Sequence, residues 1–263
     1  MPILSRRGFI AGAMLATMSA GAQANAQETP VIAAAASLKF AIEEIARDFR
    51  KNTGLEVRLS FGASGNFVRQ ILQGAPYQMF MAADEESIRR VAAQGKSRDE
   101  GVVYAVGRIV IFAATDSPLK ADASLDDLRA ALADGRVKRF AIANPEHAPY
   151  GRAAEQALRA QGLWEAMQSR LVLGENVSQA AQFASGGTAQ GGIFAYSLAV
   201  SPAVAERGTY ALLPADWYRP LRQRMVLMKS AGETAQRFFA YVQTPGARAV
   251  FDRYGFAHPG NRG

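Results

Sequence analysis

The sequence predicts an α/β protein of two lobes, each a mostly parallel sheet flanked by helices. Three observations carry that expectation. Three strand–helix units follow one another from Pro30 to about Val91, the pattern of parallel strands joined by right-handed crossovers. The same alternation resumes from Ser124, giving more units than one small sheet needs. Two long extended segments, near 103–114 and 209–228, are placed to carry the chain between two sheets. One doubly wound domain fits the same periodicity and stays open as the alternative.

The elements follow in order. Val31 to Ala36 is a short apolar run bounded by Pro30, as a buried strand is. Leu38, Ala41, Ile42, Ile45 and Phe49 then recur at helical spacing, with Glu43, Glu44, Arg47 and Asp48 outside the stripe, and Asn52 and Gly54 end it. Leu55, Val57 and Leu59 alternate with polar residues, a half-buried strand. The small-residue turn Gly62 to Asn66 precedes a helix with Phe67, Val68, Ile71 and Leu72, stopped by Gly74-Ala75-Pro76. Met79 to Met81 is a third strand, and Asp84 caps a helix bearing Ile88 and Val91. Beyond the β-prone run Arg108 to Ala114, strands are expected at 140–143, 171–173, 193–195, 210–213 and 225–228. Helices are expected through Leu125–Leu132, Ala153–Leu158, Val177–Ala181, Thr234–Val242 and Ala247–Tyr254.

The N-terminus reads as an export signal. Arg6 and Arg7 precede an uncharged run from Gly8 to Ala22, and Ala24-Asn25-Ala26 supplies small residues for cleavage. The run is shorter than the roughly 20 residues of a spanning helix. Ser5-Arg6-Arg7-Gly8-Phe9-Ile10 resembles the twin-arginine signal, so a periplasmic location is expected. The absence of cysteine rules out disulfides, thiolate metal sites, thiol nucleophiles and an N-terminal lipid anchor. Removing 1–26 leaves 28 basic against 23 acidic side chains, a formal charge of +5 that can steer anions. The basic residues are scattered and not interleaved with aromatics, so nucleic acid is not expected as a partner. A soluble monomer is.

Four places combine small or hydroxyl residues with a helix start directly after a strand: Ser37, Ser64, the stretch Ala148-Pro149-Tyr150-Gly151, and Val177-Ser178. Ligands of open α/β sheets bind outside the carboxyl ends of the strands. Helix N-termini there present unpaired N–H groups to anions. Either serine alone reads equally as an N-cap. Lys39 and Arg152 are the nearest cations, and both are expected to point away along their helices. Neutral donors suit a fully deprotonated oxyanion, which offers acceptors only.

These strings, in order and spacing, resemble the periplasmic molybdate-binding proteins of ABC transporters: Ala34 to Leu38, Phe61 to Gly65, Gly74 to Pro76, Ala82 to Asp84, Asn144 to Gly151, Glu175 to Val177, and Arg253 to Phe256. The resemblance spans nearly all of residues 31–256. It implies the type II periplasmic-binding-protein-like fold, two-lobed with the ligand in the cleft. Lobe 1 is expected at 27–112 plus 215–263, and lobe 2 at 113–214. It implies no enzyme and no cofactor, but a receptor that hands molybdate or tungstate to a membrane permease. The metal would enter only as the oxyanion, through Ser37, Ser64 and Val177, with Ala148 backbone and Tyr150 completing the set. The chain departs from the family in two places. The family's anion-touching tyrosine falls at Ala195, and Tyr196, one position later, is expected to point away. Gln78 stands where a carboxylate is common.

Three other readings remain open at this stage. A receptor for sulfate, phosphate or a small organic acid, or a ligand sensor, fits the same fold. A hydrolase using Ser64 or Ser178 would need His147 or His258 as its base, and no Gly-x-Ser-x-Gly elbow is present.

Overall fold

The protein's structure, a computed structural model, describes residues 29–260. The expected export signal lies outside the described residues. The first lobe opens with β1 (Val31–Ala35), followed by a 3-10 turn (Ala36–Leu38) that runs directly into α1 (Lys39–Thr53). Then come β2 (Arg58–Gly62), α2 (Ser64–Leu72), β3 (Met79–Ala82), α3 (Glu85–Ala93) and β4 (Val102–Gly107). The second lobe begins with β5 (Ile109–Ala114), α4 (Asp126–Ala133), β6 (Phe140–Ala143), α5 (Pro149–Ala160) and α6 (Trp164–Met167). It continues through β7 (Leu171–Gly174), α7 (Val177–Ser185), β8 (Gly191–Ala195), α8 (Tyr196–Ala199), α9 (Pro202–Ala205) and β9 (Gly208–Leu212). The chain returns to the first lobe as β10 (Leu221–Leu227), α10 (Glu233–Tyr241) and α11 (Pro245–Arg253).

The two sheets have the same plan. Their orders are β2-β1-β3-β10-β4 and β7-β6-β8-β5-β9. In the first, β1 pairs parallel with β2 and β3, while β10 pairs antiparallel with β3 and β4. In the second, β6 pairs parallel with β7 and β8, while β5 pairs antiparallel with β8 and β9. Each sheet therefore runs four strands one way and one the other, and the reversed strand is the one that has just crossed between lobes. The chain crosses at Arg108, so β5 lies wholly in the second sheet. This corrects the expected boundary at 112/113, because β5 pairs along its whole length with β8 and β9. The return falls between Leu212 and Leu221.

Local chemistry accounts for the elements. The stripe Ala41, Ile42, Ile45 and Phe49 is the buried face of α1, and Gly54 ends the helix in the left-handed conformation, with its N–H on the Arg50 carbonyl. Asp84 caps α3 by accepting from Ser87 N at 2.9 Å, with Glu85 and Glu86 in the first turn. β1 and β6 are buried on both faces, as central strands covered by helices on two sides must be. One apolar cluster runs through both lobes, from Ile42 and Phe49 to Phe112, Phe140 and Phe194. A smaller one, with Phe67, Phe80 and Val226, fills the other face of the first sheet. Among the described residues, no helix is long and apolar enough to cross a membrane.

Asp84 also pairs with Arg152 of the second lobe at 2.6 Å. Asp84→Ala should therefore lower the unfolding free energy by about 1–2 kcal/mol in urea titration, the cost of a lost cap. Asp84→Asn keeps a capping oxygen and should cost less than about 1 kcal/mol, since the ion pair is partly exposed.

Candidate functional site

The carboxyl ends of β1 and β2 face those of β6 and β7 across the lobe boundary. The residues that follow them enclose a cavity of about 10 Å³, lined by Ala35, Ser37, Gly62, Ala63, Ser64, Ala83, Ala148, Pro149, Tyr150 and Val177. All five expected site residues are brought together here. The cavity has about the room of a single water, far below the roughly 300–1,000 Å³ of pockets for drug-sized organic ligands. No charged side chain lines it.

The backbone amides can be followed turn by turn. At α7, the Asn176 side chain accepts from Ser178 N at 3.0 Å and Gln179 N at 3.2 Å, leaving the Val177 N–H as the first-turn donor beside the cavity. At α2, Gly65 N donates to the His147 carbonyl of the other lobe at 2.9 Å, and the donors of Asn66 and Phe67 turn back to Ala63 O. Ser64 N remains. At α5, the Ala148 N–H is committed to Asn144 O at 3.0 Å, and Gly151 N donates to Ala148 O. Pro149 has no N–H, so the amide this turn can offer is that of Tyr150. Ala148 contributes a wall. Ser37 sits in the 3-10 turn, whose first amides have no intrahelical acceptor.

The hydroxyls are equally constrained. Ser64 is fully buried, and its Oγ accepts from Ala83 N at 2.9 Å, so its proton is not used by that bond. The Tyr150 oxygen accepts from Gln223 Nε2 at 2.8 Å, and Ser37 Oγ lies 3.5 Å from the same nitrogen. Burial raises the Tyr150 phenol well above its ordinary pKa, so it stays a neutral O–H. Tyr104, behind it, is raised in the same way by burial and by the neighbouring Tyr150. The two nearest cations are occupied elsewhere. Lys39 pairs with Glu43 at 2.8 Å over the Phe61 ring, and Arg152 pairs with Asp84.

The lobes are latched around the cavity. Ser178 Oγ donates to Ala36 O at 2.9 Å, Ser197 Oγ donates to Ser37 O at 2.7 Å, and Asn66 Nδ2 donates to Glu175. The expected departures are structural. The chain leaves β8 at Ala195, and Tyr196 opens α8 with its ring under the Arg108 guanidinium at 4.9 Å and beside Tyr210, away from the cavity. Gln78 accepts from Gly232 N at 2.8 Å through Oε1, at the entry to α10. The histidines do not form a hydrolytic pair with a serine. His147 Nε2 meets Glu175 O at 2.9 Å, and His258 meets Asp252 on the surface. Sequence reasoning missed Gln223 and Tyr104. The available signal was a polar residue at an inward position of β10, where Leu221, Gln223 and Met225 are all buried.

A family model described as bacterial extracellular solute-binding protein matches residues 30–257. Molybdate-binding protein ModA of Rhodobacter capsulatus is 34% identical over 250 residues, 94% of this chain and 95% of that protein. Molybdate-binding protein ModA of Azotobacter vinelandii is 36% identical over 228 residues, 86% of this chain and 88% of that protein. The solved structure of the Azotobacter vinelandii periplasmic molybdate-binding protein superposes with a TM-score of 0.79 at 32% identity, covering 88% of this chain and all of that one. These relatives are molybdate-binding proteins. The chain belongs to the bacterial extracellular solute-binding protein family.

Proposed function

We propose that the protein captures molybdate, and tungstate equally, in the cleft between its lobes and delivers it from the periplasm to an ABC transporter permease. The observation that carries this reading is the small cavity at which Ser37, Ser64, Tyr150 and Val177 meet, with no charged side chain in its lining. The amides of Ser37, Ser64, Tyr150 and Val177 and the hydroxyl protons of Ser64 and the Ser37–Tyr150 pair converge on one dianion. Several oriented dipoles share its charge. The fit to molybdate-binding relatives over most of the chain supports the choice of anion. The extracellular family supports the location, and Arg6-Arg7 supports export by the twin-arginine route. In this reading a single chain is the binding unit, with both lobes contributing to the cavity.

Cavity size sets selectivity. Molybdate and tungstate are nearly equal in size, whereas sulfate is smaller and leaves donors on opposite lobes out of reach. Two unmet donors at about 1–1.5 kcal/mol each weaken binding by roughly 100-fold. Titration calorimetry on the mature protein should give matching affinities for molybdate and tungstate, with sulfate about 100-fold weaker. Equal affinity for sulfate would refute selection by size.

Ser37→Ala and Ser64→Ala should each weaken molybdate binding by about 1–3 kcal/mol, the range for a lost buried hydrogen bond to a charged group. An unchanged dissociation constant in either variant would remove that serine from the site.

Closure has its own test at Gly65. A Cβ there would lie 2.7 Å from the His147 carbonyl oxygen, a contact that real Cβ atoms do not make. Gly65→Ala should hold the lobes apart. Small-angle scattering of the molybdate-saturated variant should match that of the ligand-free wild type, and a normal contraction on adding molybdate would show that the latch is dispensable.

A further inference from the structure

We propose that Gln223, which touches neither the cavity nor its ligand, is a positioning residue that makes the Ser37–Tyr150 hydroxyl pair a net proton donor toward the bound anion. The inference deepens the reading of the cleft as an oxyanion site and rests on it.

Gln223 is fully buried on β10, the strand that returns from the second lobe. The pairing of β10 with β4 shifts register between Gln223 and Arg224, a bulge of the kind that re-aims a side chain. The carboxamide then meets three hydroxyls. Its Oε1 accepts from Tyr104 at 3.0 Å, shorter than the 3.4 Å from the same phenol to the Ala82 carbonyl. That bond turns Nε2 toward Tyr150, at 2.8 Å, and toward Ser37 Oγ, at the long limit of 3.5 Å. The space is made by the residue at 107. A Cβ there would lie 2.1 Å from the Tyr150 hydroxyl and 2.9 Å from Gln223 Nε2.

The consequence follows from counting protons. Ser37 and Tyr150 have one hydroxyl proton each, and both oxygens face the Gln223 amino group, at 3.5 and 2.8 Å. Each proton needs an acceptor. Gln223 cannot supply one, because its oxygen is held by Tyr104 and its amino group faces the pair. At least one of the two protons is therefore directed to the anion, since the other can serve at most the neighbouring hydroxyl. With the carboxamide reversed, Oε1 would accept from the pair and leave a lone pair facing the ligand, which repels a dianion. Ser64 follows the same rule by another route, since its oxygen accepts from the Ala83 amide. Proton direction at both serines is thus fixed from behind.

The test uses Gln223→Met and Gln223→Glu in the mature protein, with molybdate titrated calorimetrically and ligand-free melting followed in parallel. Gln223→Met should bind molybdate at least about tenfold more weakly, with no added pH response over wild type, since a lost oriented donor costs about that much. Gln223→Glu, ionised, offers acceptors only, and should lose more at about pH 8. Burial raises its carboxyl pKa, so it regains a proton as pH falls toward about 6. It then has one donor and one acceptor again, and binding should recover. The titratable groups facing position 223 are Tyr104 from β4 and Tyr150 from α5, and burial keeps both protonated over that range. Wild-type binding in both variants, or an equal pH-independent loss in both, would reduce Gln223 to space filling and overturn the proposal. Failure of the wild type to bind molybdate at all would instead refute the functional reading and this proposal with it.

Discussion

A doubly charged ion loses its hydration when a cleft closes over it, and something must replace that hydration. In the proposed site no cation does so, since no charged side chain lines the cavity. A buried guanidinium would need its own partner whenever the ligand is absent, since an unpaired buried charge is far costlier than an unpaired amide. First-turn amides and hydroxyls carry only partial charge, so the same donors tolerate water in an open cleft and an anion in a closed one. The remaining architecture serves that requirement. Helix starts must converge from several directions, and two sheets facing each other at their carboxyl ends provide them.

The chain path makes the two faces movable and still coupled. Each sheet receives its one reversed strand directly after a crossing, β5 after Arg108 and β10 on the return. The crossings sit at the floor of the cleft, where Gly107 ends β4 against the Tyr150 hydroxyl and Gln223 lies beside it. Arg108 is anchored there by two bonds to the Gly255 carbonyl, at 3.1 and 2.9 Å, and by the Tyr196 ring. The position expected from family likeness to donate to the anion holds Ala195, and the tyrosine one step later, Tyr196, packs against Arg108 at the crossing. The phenol in the cavity is Tyr150, from α5 in the second lobe's wall. Because that phenol binds a side chain on β10, lobe closure and hydroxyl orientation are one event.

Much of this was legible in the residues. Apolar stripes in α1 and α3, the Asp84 cap and the buried run of β6 are local signals, written at spacings that a helix or strand imposes. The convergence of Ser37, Ser64, Tyr150 and Val177 was accessible because each follows a strand at a helix start. What escaped depended on pairing between distant segments. The boundary at Arg108 is set by the partners of β5, and nothing within Ile109–Ala114 names them. The commitment of the Ala148 amide to Asn144 is a turn geometry, not a residue type. Gln223 owes its direction to a bulge against β4, a register shift invisible in either strand alone.

Long-range and short-range electrostatics are divided between different residues. The excess of basic over acidic side chains is spread over the surface, where it raises the local concentration of anions and is screened by salt. At the cleft the nearest cations, Lys39 and Arg152, are already paired with Glu43 and Asp84 and contribute nothing that distinguishes one dianion from another. Discrimination is left to distance and proton direction, which act only over a hydrogen bond's length. Such a filter is as sharp as its donors are rigid. That rigidity comes from groups without ligand contact: the Asn176 side chain that caps α7, the Ala83 amide behind Ser64, and Gln223 held by Tyr104. Of these three residues, Asn176 and Gln223 stand outside the cavity lining, so the donors are held in part by residues that do not form its wall.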